Sequence, residues 1–213
     1  MPLPWNDDPP AFRRQIEQNI ATVLRGIRDE ADLRNAPTVS MALQWHREIY
    51  SGVPPPVDYY AGEVRDTDRR FPELIGYEVE VDTIRGFDSA DVPAALNEFE
   101  QGMHIATRAV DAALSTGARS RTARQLVGVV QLASQAHGEW IRIHPFANGN
   151  GRTARLWVAW LAARYGLPLF LRLKPRSEGT AYAFAASASM RGNHRPMQLY
   201  LGDSLARALG QIV

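Results

Sequence analysis

One stretch of twelve residues, His144–Arg155 (HPFANGNGRTAR), holds a histidine, two glycines and two arginines. Gly149 and Gly151 free the backbone for turns that expose successive N–H groups. At the start of a helix such amides form an anion site suited to phosphate. Arg152 falls in the first turn of that helix and Arg155 three residues on, a spacing that lets both guanidinium groups reach one side. Cations there oppose the helix dipole, a cost that a polyphosphate would neutralise. His144, at the mouth of this nest, can take a proton from an incoming hydroxyl, help worth roughly 10²–10⁴-fold in general. Pro145 stiffens the backbone after it, and Phe146 reads as an anchor pinning the loop to the core. A lone histidine before proline is usually structural, and a lone Gly-Asn-Gly turn usually just opens a helix. Their concentration in one short segment points instead to transfer of a phosphate-containing group onto a hydroxyl.

Bulk composition limits the rest. With 213 residues, 45% of them hydrophobic, the chain has the size and apolar content of one domain with a sizeable core. Acidic and basic residues nearly cancel, leaving a formal net charge of +1, which argues against a nucleic-acid partner. The absence of cysteine removes disulfides, thiolate metal sites and a cysteine nucleophile. The opening MPLPWNDDPP lacks the basic-then-apolar pattern of a signal peptide. The most apolar run, Leu156–Leu171, is broken by Arg164 and Gly166 and is too short to span a bilayer. The expectation is a cytoplasmic protein with no membrane partner, delivery as a secreted effector being left open.

The loop needs helices to hold it. Leu126, Val129, Val130, Leu132 and Ala133 give Arg121–Ile141 a wide apolar face, which makes that helix central. Gly151–Tyr165 follows the loop, with Trp157 and Trp160 beside Leu156 and Leu161 on its buried face; Gly166-Leu167-Pro168 stops it. Asp91–Leu114, with Pro93 tolerated in its first turn, Glu178–Met190 and Pro196–Leu209 complete a bundle. Ahead of these, Ile16, Ile20, Val23, Leu24 and Ile27 recur at helical spacing over Ala11–Leu33, with Asp7 or Asp8 before Pro9-Pro10 as the start signal. Val39–Tyr50 forms another helix, ended by the run Ser51–Pro56. Residues 58–88 differ. Tyr77–Val81 alternates, with Val79 and Val81 on one side and Glu78 and Glu80 on the other, and Gly76 interrupts near its start. That pattern predicts a short hairpin or an exposed strand edge able to pair with an extended segment of another protein. The fold class is mostly α, with residues 1–37 as a helical extension and 38–213 as the main domain.

HPFANGNGRTAR resembles the signature of Fic-domain proteins, HxFx(D/E)GNGRxxR, at every fixed position but one: Asn148 stands where the family usually carries Asp or Glu. Tyr60–Arg65 (YAGEVR) is similar to the AGEYR-type segment upstream in that family. Tyr182, and Gly192-Asn193 followed by Pro196 and Leu199, resemble its downstream helix pair. The likeness covers residues 40–205 and implies a Fic-type helical bundle with a short β-hairpin flap within 58–88.

The resemblance implies a protein adenylyltransferase. His144 would deprotonate a Ser, Thr or Tyr hydroxyl of a target protein, the oxygen would attack the α-phosphate of ATP, and pyrophosphate would leave. Backbone amides near Gly149–Gly151 would hold the phosphates, with the Asn150 side chain helping. Arg152 would hold the β-phosphate, and Arg155 the γ-phosphate or, in inhibited members, a regulatory glutamate. The flap, with Gly76, Tyr77, Val79 and Val81, would clamp the target by strand addition. The family's acidic residue binds Mg²⁺; Asn148 offers only a neutral oxygen, so Mg²⁺ or Mn²⁺ would be weakly held. Three consequences stay open: AMP transfer with a loosely held metal, transfer of another group such as UMP, phosphocholine or a phosphoryl, or a nucleotide- or partner-binding module with little turnover. A Doc-like kinase fits less well, because Gly149-Asn150-Gly151-Arg152 lacks the lysine or altered spacing of such loops. No glutamate has Ser or Thr four residues before it, so the (S/T)xxxE(G/N) inhibitory motif is missing; Glu178 precedes Gly179 but has Lys174 in the upstream position. An antitoxin-like partner carrying that motif is one expected source of regulation, and a second copy of the chain is a further candidate partner.

His46, His104, His137 and His194 show no metal-ligand spacing and read as structural or surface residues, His137 being placed to line the cleft. Arg121 and Arg124 read as a solvated helix start. Arg65, Asp66, Asp68, Arg69 and Arg70 read as a solvated charged loop beside the flap.

Overall fold

The computed structural model describes residues 3–31, 33–81, 83–114, 122–173 and 180–210. Helix α1 (Arg13–Ala31) follows a single 3-10 turn, Pro10–Phe12, and buries its stripe of Ile16, Ile20, Val23 and Ile27. That stripe packs on α2 (Val39–Ile49) and α5 (Asn150–Arg164), so Trp5 and α1 contribute to the same core as the rest. The expected helix start at Asp7 or Asp8 is not made. Pro9 holds the cap position without a side-chain bond, and both carboxylates turn to a buried arginine instead. A guanidinium–carboxylate pair is the stronger hydrogen bond.

Helix α4 (Ala123–Ile143) and helix α5 form the centre. Thr122 starts α4: its hydroxyl accepts from the Gln125 N–H (3.3 Å), and the Gln125 side chain accepts from the Thr122 N–H (2.9 Å). Arg124 is exposed, as expected of a solvated helix start, whereas Arg121 lies outside the described residues. The helix runs past Ile141 because Ile143 continues its buried face, and it stops at His144. Helix α5 is buried all round, the mark of a helix enclosed by others. Trp140, Trp157 and Trp160 are fully buried there, and truncating one such side chain costs about 3–5 kcal/mol in general. The floor beneath the loop is correspondingly rigid. Helices α3 (Val92–Ala113), α6 (Thr180–Met190) and α7 (Arg195–Gly210) pack around α4. The expected helix start at Glu178 lies outside the described residues.

The hairpin is present but shorter than the alternation predicts. Strands β1 (Glu80–Val81) and β2 (Ile84–Arg85) pair antiparallel, Glu80 opposite Arg85 and Val81 opposite Ile84. Tyr77 cannot join this ladder, because its carbonyl accepts from Arg65 and its ring packs on Tyr60. Among the described residues no third strand pairs with the hairpin, and α6 lies against β2. No helix among the described residues is long and apolar enough to cross a membrane.

Candidate active site

The C-terminus of α4 and the N-terminus of α5 meet at the loop His144–Gly149. Asn150 staples it: its Oδ1 accepts from the Phe146 N–H and its Nδ2 donates to the Phe146 carbonyl, both at 2.9 Å. The Asn150 side chain is therefore spent on the loop itself, not turned to a ligand as the resemblance implies. Phe146 is fully buried, as expected of an anchor, and stacks on His46 with ring centroids 3.7 Å apart. His46 accepts from the Gly62 N–H at Nδ1 (2.9 Å), so its Nε2–H donates to the Asn148 carbonyl (3.0 Å). Burial, aided by Arg152 and Arg47, lowers its pKa to about 3 and keeps it neutral in this role. His46 is thus a structural histidine, as the sequence suggests, but one that carries the loop.

His144 adopts the left-handed region (φ 51°), a strained backbone for a residue other than glycine. Its Nδ1 lies 2.5 Å from the Ile141 carbonyl. A carbonyl only accepts, so Nδ1 carries the proton and Nε2 is left as a lone-pair acceptor. Burial, with the nearby Arg65 charge, lowers the pKa to about 4. The imidazole is neutral, and able to accept a proton, across the physiological range.

Arg65 is the largest departure from the sequence reading. Far from lying in a solvated loop, it is fully buried. Its guanidinium donates to the carbonyls of His144 (2.8 Å), Ile143 (3.1 Å), Tyr77 (2.8 Å) and Phe87 (2.8 Å), and its own N–H donates to the Pro145 carbonyl (2.7 Å). Only a planar five-donor group can serve so many acceptors at once. Arg65 therefore ties both ends of the hairpin to the backbone of His144. Gly86 completes the junction, since a Cβ there would stand 2.8 Å from the His144 Cβ.

The two glycines of the nest differ. Gly149 is left-handed (φ 80°), and a Cβ on it would fall 2.6 Å from both His46 Nε2 and the Tyr50 hydroxyl. Gly151 lies in α5, and a Cβ there meets nothing within 4 Å. Open space thus faces the first turn of α5, where the leading amides have no preceding turn to bond.

The two arginines also part ways. Arg155 is buried; its Nη1 donates to the Tyr182 hydroxyl (3.4 Å), its guanidinium lies over the Tyr182 ring (5.5 Å), and its buried Nε has no partner. No carboxylate among the described residues pairs with it. His137 is fully buried, in keeping with its reading as structural, and meets the Tyr182 hydroxyl 2.9 Å from its Nε2. A buried cation with an orphaned donor beside an open helix N-terminus fits an anionic ligand. Arg152 is buried too, but it is neutralised from within. It donates to the Tyr50 hydroxyl (2.7 Å), to the Asp7 carbonyl (2.9 Å) and to the Asp7 carboxylate, and Asp8 lies 3.4 Å away. Burial works against its charge, yet Tyr50 and the two carboxylates hold its pKa above the ordinary guanidinium value.

Asn148 has no free group. Its Oδ1 accepts from the Gly149 N–H (2.8 Å) and its Nδ2 donates to the Trp5 carbonyl (2.7 Å). Mg²⁺ favours anionic oxygens, and the carboxylates that reach this loop, Asp7 and Asp8, are paired with Arg152. Among the described residues no cluster of three or more acidic or histidine ligands is arranged for a metal. The donor set in this arrangement does not fit a magnesium ion.

In the flap, Gly76 is left-handed (φ 64°), Tyr77 and Val79 are half-buried and Val81 is exposed. They lie along the hairpin's approach and first strand. Sequence reasoning missed Trp5, Asp7, Asp8, Tyr50, His46 and Arg65 as parts of the site. Only Arg65 carried a signal, at the end of the segment YAGEVR.

The Fic/DOC family model matches residues 36–162. Over 46 residues, 22% of this chain, the sequence is 46% identical to a uridine 5'-monophosphate transferase of Xanthomonas campestris pv. campestris (strain 8004), and that stretch is 9% of the relative's length. Over 80 residues, 38% of this chain, it is 32% identical to protein adenylyltransferase Fic of Drosophila virilis, covering 16% of that protein. The fold is similar to that of a Fic domain containing signaling protein from Bacteroides thetaiotaomicron VPI-5482 (TM-score 0.63, 22% identity, 92% of this chain and 70% of that one). It is also similar to Fic-1 of C. elegans (TM-score 0.58, 20% identity, 91% and 50%).

Proposed function

The chain belongs to the Fic/DOC family, and from that premise we propose that it transfers AMP from ATP to a serine, threonine or tyrosine hydroxyl of a target protein. The observation that carries this reading is the state of His144: a neutral imidazole with Nδ1–H tied to Ile141 and Nε2 open, at the head of an open helix N-terminus. In the reaction Nε2 takes the hydroxyl proton, the oxygen forms a bond to the α-phosphorus, and the bond to pyrophosphate breaks. The first amides of α5 bind the phosphate oxygens, and Arg155 binds the terminal phosphate through donors that protein atoms leave unused. The target pairs along β1 of the hairpin, which Arg65 links to His144. The likeness to a uridine 5'-monophosphate transferase favours one second reading, UTP as donor.

The test is incubation with ATP labelled at the α- or the γ-phosphate, or UTP labelled at the α-phosphate, with Mg²⁺ or Mn²⁺ and a cell extract as the source of targets. The expected result is protein label from α-labelled ATP that disappears in His144→Ala. Label from UTP alone makes the second reading the right one. Label from the γ position alone makes the protein a kinase. Nucleotide binding without label under either metal makes it a binding module.

A further inference from the structure

We infer that residues 3–8 are a built-in competitor for the phosphate subsite at Arg152, so that nucleotide binds only when this strap has left. The inference rests on the reading of the pocket given above and names its regulation.

At Arg152 the Nη1 group already donates to three protein oxygens, two of them from Asp7 and one from Tyr50. Asp7 engages it through both its carbonyl and its carboxylate, and Asp8 adds a second carboxylate at 3.4 Å. A phosphate oxygen approaching this guanidinium meets an engaged Nη1 and brings more negative charge to a site where two carboxylates already stand. Strap and nucleotide therefore exclude each other at this arginine. The strap is seated by more than charge. Trp5 is buried against Tyr50, Tyr60 and His46, with ring centroids 4.7, 6.1 and 5.7 Å away. The Leu3 N–H donates to the Tyr60 hydroxyl (3.1 Å), and the Tyr50 hydroxyl donates to the Asp7 carboxylate (3.1 Å). Helix α1 keeps the strap close, because Asn19 on α1 donates to the carbonyls of Ile49 (3.0 Å) and Ser51 (2.8 Å) on either side of Tyr50. Such tethering raises the local concentration of a competitor without any new contact.

The one departure from the signature belongs to the same device. Asn148 Nδ2 donates to the Trp5 carbonyl at 2.7 Å. A carboxylate at 148 has no proton to offer there and would set a third negative charge beside Asp7 and Asp8. Asparagine at this position thus favours the seated strap.

The test compares the full chain with Asp7→Asn/Asp8→Asn, which keeps shape and removes charge, and with Trp5→Ala, which touches no anion. ATP affinity is measured by calorimetry with and without Mg²⁺. A strap seated 90–99% of the time weakens apparent affinity about 10- to 100-fold, so both variants are expected to bind ATP about 10- to 100-fold more tightly. Adding Arg152→Met to the Asp7→Asn/Asp8→Asn variant should cancel the gain. In the unaltered chain, saturating ATP should raise amide exchange in residues 3–8. Equal or weaker binding by both variants, or greater protection of residues 3–8 with ATP, overturns the inference. Tighter binding without transfer of α-label leaves the inference standing and removes AMP transfer. Absence of ATP binding in every form overturns both the inference and the reading of the pocket.

Discussion

The first turn of α5 carries two arginines three residues apart, and their surroundings are opposite. Around Arg152, Gly149 and Asn148 protein atoms fill the space: Tyr50 and the strap engage Arg152 Nη1, the strap takes Asn148 Nδ2, and His46 and Tyr50 leave no room for a Cβ on Gly149. Arg155, buried against Tyr182, keeps an Nε without a partner, and a Cβ on Gly151 one turn earlier meets nothing within 4 Å. Two residue types repeated in one motif thus divide the work. One set holds the loop in shape and carries the strap, and the other is the one proposed to meet the nucleotide. The contrast shows that a motif's residues need not share a role because they share a spacing.

Four measurements would sharpen or break this contrast. The largest expected effect is on Arg155→Met, which should lower label transfer about 10²–10³-fold, the usual result of removing one positioned donor. Its thermal midpoint should stay level or rise, because a buried cation with an unsatisfied Nε has been removed; a large fall in midpoint would show that Arg155 is structural. Next comes Gly149→Ala, which must force a side chain into left-handed backbone and against His46 and Tyr50. It should cost about 2–3 kcal/mol in denaturant unfolding, whereas Gly151→Ala should stay within about 0.5 kcal/mol while weakening nucleotide binding. Equal costs at the two glycines would erase the distinction. Third, Arg152→Met should lose about 1–2 kcal/mol, because Tyr50 and two carboxylates lose their partner. That corresponds to about 2–8 °C in the thermal midpoint, opposite in sign to Arg155→Met.

The smallest effect is on pH. His144, with its pKa lowered to about 4, is still in its base form at pH 5–6. The activity profile should therefore lack an acid limb near 6.5, and a limb there would mean that another group is the base. Stability should move differently. His46 and His137 have pKa values lowered to about 3, and His144 to about 4, from 6.5 when unfolded. Below pH 6.5 the unfolded chain binds more protons than the folded one, so stability falls as pH drops toward 3–4. Thermal midpoints measured in that window should fall, and a flat curve would show these rings to be hydrated.

Much of this was legible before any coordinates. Helical periodicity located α1 to α5 and α7 within a few residues, because each buries one stripe or, in α5, its whole surface. The hairpin was visible in the alternation of Tyr77–Val81, but its true length was not. The pull of Arg65 on the Tyr77 carbonyl is a contact across twelve residues that no local pattern encodes. Arg65 itself looked like one charge among several in Arg65–Arg70, since charge alone does not say whether a side chain faces water or four carbonyls. Asp7 and Asp8 matched a helix-start signal because they precede two prolines, and that signal is blind to a guanidinium 145 residues away in the chain.

By itself the sequence determined the loop His144–Arg155 and the two helices that frame it, because those depend on neighbours within a few residues. Only the tertiary structure decided which arginine keeps an unpaired donor, which glycine has no room for a side chain and what Asn148 bonds to. Those answers depend on which groups share a desolvated space, and in this protein the groups come from residues 3–8, 46–50, 65 and 182, far apart along the chain.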